Sequence, residues 1–399
     1  TTSVTGHDYT RIQSANETIS FEKAAGDEVL DIYKAGTVKL RLSDPSGTED
    51  VANINLKTNT DNKATAQTVA DVDVKNTETV NLSVTGMKDG VKKTLSAFSG
   101  DSTLTTLNIT GDSDFELADL GSDNTKLATV DASTFTGDLT LKGTTAGAKF
   151  GQTITTGVGN DLLAFDTGEL TEHDTVDLGG NTVLASGKMG ADTVKHTGNH
   201  GSAVSQQILT VSNVEDLLLT AAGGADQAGT FYLDTSKFTN VDQVSVAAAS
   251  GTAKFTNLDT NTSIGLGVVA DDFSGTINVA LADETGTSDS ITLNESTSLN
   301  ADSAITFKST GIETLNIVAT TEASDPGHTT TFTFGDNAPA TINLTKGQAA
   351  DTMALGTLNK TTNVVDASAY DGILSITGTA ADVAMTISAK MGSASGINS

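Results

Sequence analysis

Four short stretches set glycine beside a hard anionic oxygen. "GVGNDLL" occupies 157–163, "DTVDLGGN" occupies 174–181, "GKMGADTV" occupies 187–194, and a more degraded "KGQAADTM" occupies 346–353. In each, glycines allow a tight turn whose carbonyls point inward, an Asp adds a carboxylate, and an apolar residue turns back into a core. This is the logic of the Gly-Gly-x-Gly-x-Asp-x-apolar-x nonapeptide, in which stacked turns share a calcium ion held by six to eight oxygens. The candidate ligands are Gly157, Gly159, Asn160 and Asp161, then Asp174 and Asp177, then Gly190 and Asp192, and last Asp351. No two copies follow at nine-residue spacing. The expectation is therefore isolated calcium sites completed from elsewhere, in the weak range of extracellular modules, about 10⁻⁴–10⁻³ M. The competing reading is plain Gly-Asp turns with no metal.

Other chemistries find little support. The five His are His7, His173, His196, His200 and His328. His196 and His200 stand four apart, but the intervening "TGN" reads as a loop and no zincin Glu follows. There is no G-x-S-x-G elbow and no P-loop. Carboxylates are plentiful enough to pair as in a glycosidase. A cleft for sugar cleavage usually carries aromatics and cations, however, and this chain has no Trp and only Arg11 and Arg41 as arginines. The expectation is a protein without catalytic activity.

Charge and composition narrow the class further. Lys and Arg number 22 against 50 Asp and Glu, a formal net charge of −28. Such a chain repels nucleic acid and attracts cations, and its self-repulsion penalises the compact state unless divalent ions neutralise part of it. Cys is absent, which removes disulfides, thiolate zinc sites and thiol catalysis, and favours an exported protein. No run of eighteen apolar residues is present to insert into a membrane.

The elements that must position these turns are short strands. Val, Ile, Leu and Thr dominate, and aromatics are only 4%, so the implied core is thin and repeated. "VDASTFTGDLTLKG" at 130–143 returns as "VDASAYDGILSITG" at 365–378. Its aromatic-x-Gly step recurs at Phe98-Ser99-Gly100 and Phe273-Ser274-Gly275, each ahead of alternating apolar residues, the mark of a turn feeding a half-buried strand. A second phrase reads "NTETVNL" at 76–82, "NVEDLLL" at 213–219, "NVDQVSV" at 240–246 and "GIETLNI" at 311–317. Its Asn or Gly suits a left-handed corner. Its acid (Glu78, Glu215, Asp242, Glu313) then stands where a carboxylate accepts backbone N–H groups. About twenty strands are expected, with helical turns expected only at 66–74 and 202–209. The fold class is all-β, either a β-helix with insertions or stacked β-sandwich units. The expected organisation is a β-rich region over 1–150, calcium-type turns over 151–200 and a second β-rich region over 201–399. The ending "TISAKMGSASG" reads as the approach to a further turn, which suggests a longer parent chain.

These phrases together, "VDAS-x-aromatic-x-G-x-L", "TITTGVGNDLL" and the "GIETLNI" strands, resemble bacterial crystalline surface-layer proteins of the RTX type, exported by type I secretion. The same motifs occur in large RTX adhesins. The resemblance implies an extended β-rich fold, calcium-dependent assembly with copies of itself, a location outside the cell, and anchoring at the cell surface, often through lipopolysaccharide. The leading expectation is a self-assembling surface-layer or filament subunit. The alternative is an adhesin module that binds surface glycan or another cell.

Overall fold

Alternating apolar residues build a strand whose one face must be covered, and here the cover is the strand's own successor. In the computed structural model, Val80, Leu82 and Val84 point inward from Thr79–Thr85. That strand pairs in register with Val51–Lys57 on one side and Thr106–Gly111 on the other. The structure describes residues 2–4, 9–12, 18–24, 29–33, 35–42, 46–58, 64–88, 90–143, 151–166, 169–181, 192–198, 201–202, 206–222, 224–225, 227–266, 273–297, 302–321, 327–335, 338–358, 362–377, 385–390 and 396–398. Among them are 37 strands and no helix. The registers are parallel, each strand lying on the corresponding strand of the next coil, so the architecture is a β-solenoid and not stacked sandwiches.

Two compact units are present, one formed by 1–195 with 210–215 and the other by 196–209 with 216–399. In the first, one ladder climbs through Val51–Lys57, Thr79–Thr85, Thr106–Gly111, Thr129–Asp131, Thr153–Thr155 and Thr175–Asp177 to Thr210. A second climbs from Ala35–Leu42 to Gln67–Lys75, which the next coil matches with two shorter strands, Lys93–Leu95 and Phe98–Ser99. In the second unit, one ladder runs from Phe238–Ala247 to Thr386–Ala389 and another from Ala228–Asp234 to Gly396–Asn398.

Coil length varies, which hides the period in the sequence. Equivalent residues lie 28 apart between Asn53 and Asn81, 27 between Asn81 and Asn108, and 22 between Gln152 and Asp174. The first two of these spacings belong to an asparagine ladder on the outer face, with Nδ2 of Asn108 donating to Asn81 at 2.8 Å and Asn81 to Asn53 at 2.9 Å. Asn343 repeats the step onto Asn316 at 2.8 Å. Such ladders hold register, since a one-residue slip would turn every inward side chain outward.

The duplicated fourteen-residue phrase is one corner of a coil. Asp131 Oδ1 accepts Ser133 N–H and Asp366 Oδ1 accepts Ser368 N–H, both at 3.0 Å, so each Asp closes its own turn. Phe135 and Tyr370 then enter the core, as do Phe98 and Phe273 in the looser copies. The glycine two residues later is there for close approach. A Cβ on Gly137 would stand 2.7 Å from the Ser113 carbonyl carbon, and one on Gly372 would stand 2.6 Å from the Asp351 oxygen. The second phrase is also explained. Asn76, Asn213 and Asn240 have φ of 56°, 54° and 52°, and Gly311 has φ of 71°, so each marks a left-handed corner.

The expected helical turn at 66–74 is absent. Gln67–Lys75 is a strand with Val69, Val72 and Val74 buried, because pairing on both edges outweighs local propensity. Of 202–209, Gln207–Ile208 is strand, and 203–205 lie outside the described residues.

Candidate functional site: a column of buried charges

The second ladder of the first unit continues through Phe115–Leu117 and Leu139–Lys142, and the residues at the corner where its strands start stack from coil to coil. Gln67 pairs with Lys93, Lys93 with Phe115, and Phe115 with Leu139. Leu139 N–H donates to Asp161 Oδ1 at 2.8 Å, and Asp161 N–H donates to Asp192 Oδ1 at 2.7 Å. Asp192 N–H in turn donates to Glu215 Oε2 at 2.7 Å. The column thus runs Gln67, Lys93, Phe115, Leu139, Asp161, Asp192, with Glu215 beyond it.

The acidic end is buried and incompletely satisfied. Asp161 is 2% exposed and Asp192 is 0% exposed. One oxygen of each carboxylate accepts the backbone N–H just described; among the described residues the second oxygen of each makes no hydrogen bond of good geometry, and the buried Thr156 hydroxyl lies beside Asp161 and favours its ionised form. Asp138 lies close by, accepting Asn160 N–H at 2.8 Å and Asn160 Nδ2 at 3.2 Å. Burial raises the Asp192 carboxyl to about 7, and the negative charges of Asp161, Glu215 and Asp138 add to the shift. Burial, with Asp138, also raises Asp161. Two carboxylate oxygens and a hydroxyl form a hard-oxygen donor set, which suits calcium or magnesium better than zinc. Among the described residues, no three His, Cys, Asp or Glu side chains converge as a complete ligand group.

The other sequence candidates are placed differently. Gly157 and Gly159 lie on the loop leading to Asp161, and coil stacking accounts for them. Their Cβ atoms would stand 1.9 Å from the Phe135 oxygen and 2.4 Å from the Gly137 oxygen. Asp174 is buried at a different corner. Its Oδ1 accepts Gln152 N–H at 2.7 Å, and its Oδ2 accepts the Thr171 N–H at 2.7 Å and hydroxyl at 2.9 Å. Asp351, in the second unit, repeats that corner with Gly327 N–H at 2.9 Å and Gln348 N–H at 3.1 Å. Asp177 Oδ1 accepts Asn213 Nδ2 at 2.7 Å and Gly179 N–H at 3.0 Å. These three carboxylates bind donors both of their own turns and of neighbouring coils. Gly190 lies outside the described residues.

The strand-start acids behave as read from the sequence at three of their four positions. Glu78 accepts Asp50 N–H at 2.9 Å, Glu215 accepts Asp192 N–H, and Glu313 accepts Asp289 N–H at 2.9 Å. Asp242 is exposed.

Lys93 was not singled out in the sequence. Its side chain is fully buried, and Nζ donates to Tyr33 O at 2.7 Å, Lys57 O at 2.8 Å and Gln67 Oε1 at 3.1 Å. Burial lowers its ammonium to about 8. A signal was available in "KTL": Lys93 and Leu95 share the inward phase of the alternation.

His196 is buried on Thr193–Thr197, and His200 lies outside the described residues. No helix among the described residues is long and apolar enough to cross a membrane, which says nothing of strands. No protein-family model, curated protein or solved structure matches the chain.

Proposed function

We propose that this chain is a structural cell-surface protein, a non-catalytic subunit of a calcium-dependent extracellular layer or filament that assembles with copies of itself. The observation that carries the reading is the pair of buried, half-satisfied carboxylates at Asp161 and Asp192 in a solenoid of net charge −28. A divalent cation offsets the cost of burying such groups and screens the repulsion between acidic corners of adjacent copies. Parallel coils give long polar faces on which identical subunits can meet. Light scattering tests the reading. Calcium should convert monomers to large assemblies and excess EGTA should return them. Assemblies that persist in EGTA, or a protein that stays monomeric at millimolar calcium, would overturn it.

A groove in the second unit favours the second reading, an adhesin module. It has a volume of about 820 Å³ and is lined by Phe238, Asn240, Asp242, Asn257, Asp259 and Asn261 among others. Amides, carboxylates and one ring face suit the hydroxyls and apolar face of a sugar. Under this reading the protein remains monomeric with calcium and binds neutral oligosaccharides. Titration calorimetry with a panel of these separates the two readings.

A further inference from the structure

Alternation places every second residue of a strand on the outer face, and coil stacking turns those positions into columns. In the first unit Thr79, Thr106, Thr129, Thr153, Thr175 and Thr210 stack one per coil. Two residues on, Asn81 and Asn108 lead a second column through Asp131, Thr155 and Asp177 to Ser212. The second unit builds the same pair of columns by itself. Thr341 lies on Thr314 and Asn343 on Asn316, and the columns continue to Thr386 and Ser388. These rows are hydroxyl and amide with few charges, although 50 of the 399 residues are acidic. Their carboxylates Asp131, Asp177 and Asp366 are each tied to an N–H of their own turn. The second ladder of the first unit, by contrast, carries the ion pairs Arg41–Asp73 and Lys142–Glu116.

We propose that these threonine and asparagine faces are where copies of the chain meet, each face docking on the same face of a second copy. This rests on the surface-layer reading above and names its contact surface. A chain of net charge −28 repels its copies, so close approach costs least where charge is sparse. The rows are also preset for a partner. Asn81 donates one amide N–H to Asn53 and accepts one from Asn108, which fixes its orientation and leaves a second N–H and a second lone pair to offer outward. Five steps of about 4.8 Å make the threonine row of the first unit about 24 Å long; with strands about 10 Å wide it covers roughly 250 Å², well under the about 800 Å² per partner of a stable pair. A single contact is therefore weak. With one such face on each unit, every copy can join two others, and the contacts accumulate in an open array.

Charge placed on the faces of the full chain tests this. In millimolar calcium, T153E/T341E should raise the concentration at which light scattering reports assembly at least tenfold, with its urea midpoint unchanged. T333E, exposed on the other ladder of the second unit, should shift that concentration less than twofold. The chain has no Cys, so single cysteines give a second readout. Thr153 is exposed near the middle of its row, and T153C should form disulfide-linked dimers on mild oxidation of the assembly, at least five times as fully as T333C. Should T153E/T341E fail to fold, the cysteine pair decides. Wild type that assembles while T153E/T341E, folded, assembles equally well overturns this inference and leaves the surface-layer reading standing, as does T333C cross-linking as fully as T153C. Wild type that stays monomeric in calcium overturns the surface-layer reading and this contact with it.

Discussion

Replacing Asp192 by Asn removes one buried charge and keeps the shape. The amide oxygen still accepts the Asp161 N–H that Asp192 Oδ1 now takes at 2.7 Å. The carboxyl is raised from 3.8 to about 7, first by burial and then by its acidic neighbours. Three pKa units at about 1.36 kcal/mol each put the upper bound for the cost of ionising it in the fold at about 4 kcal/mol. Relaxation of the surroundings cuts this, and about 2 kcal/mol is the expected gain for D192N at pH 8 without calcium. The sign follows from linkage. An acid whose folded pKa is raised binds more protons in the native state, so stability falls as pH rises from about 4 to 7 and levels off above that. Wild type in EGTA should therefore unfold at lower urea at pH 8 than at pH 5, and D192N should lose most of that difference. Calcium should reverse the ranking at pH 8 by stabilising wild type alone. Urea titrations of both proteins at pH 5 and 8, with calcium and with EGTA, give all four comparisons. A D192N protein that is less stable than wild type in EGTA at pH 8 would refute the argument, as would an undiminished pH difference.

Three further outcomes can be checked by the same unfolding measurements. Gly157→Ala forces a Cβ to 1.9 Å from the Phe135 oxygen, so it should destabilise the first unit by about 3 kcal/mol whether or not calcium is present. Asp174→Ala strands the Gln152 N–H and the Thr171 N–H and hydroxyl, and should cost about 3 kcal/mol while leaving the calcium response intact; loss of that response would make Asp174 a ligand. At the acid limit, Asp131 and Asp366 are held below the usual carboxylate value by Ser133 and Ser368. Their contribution is present above pH 3.8 and lost as pH falls through their depressed values, so circular dichroism should report unfolding at low pH that Asp131→Asn shifts little further.

Strand content and corners were legible because each is written locally. Period-two alternation marks Thr79–Thr85 and Thr314–Thr321, and the left-handed Asn76, Asn213 and Asn240 announce the turns before them. Coil stacking was not legible as a period, since loops of unequal length separate equivalent strands, as the 31 residues between Asp161 and Asp192 show. The calcium candidates divide for a related reason. A Gly-Asp turn in a solenoid must satisfy the backbone of the coil below, and the same residue types do that job at Asp174 and Asp351 without leaving an oxygen over. Only the three-dimensional count of donors separates those corners from Asp161 and Asp192. The buried ammonium was hidden by a similar ambiguity, because a lysine in "VKKTL" reads as surface until the inward phase of its strand is known.

The position of Lys93 bears on why the acid column can exist at all. A solenoid adds coils one at a time, and each new coil must match the polar groups exposed on the last. A buried carboxylate needs donors, and the Asp161 corner offers one backbone N–H from the adjacent coil, that of Leu139, where the Asp174 corner offers three donors. A buried ammonium needs acceptors, and the same kind of corner supplies several, since backbone carbonyls of earlier coils can turn inward, as Tyr33 and Lys57 do toward Lys93. Along this one column the fold meets the cation of Lys93 from its own backbone and gives the anions at Asp161 and Asp192 fewer partners than Asp174 and Asp351 have elsewhere. A chain with 50 acids and 22 basic residues that places acids at this corner creates a standing demand for positive charge inside the stack. Under the proposed reading, calcium would meet that demand, and assembly coupled to it would keep subunits loose wherever the ion is scarce.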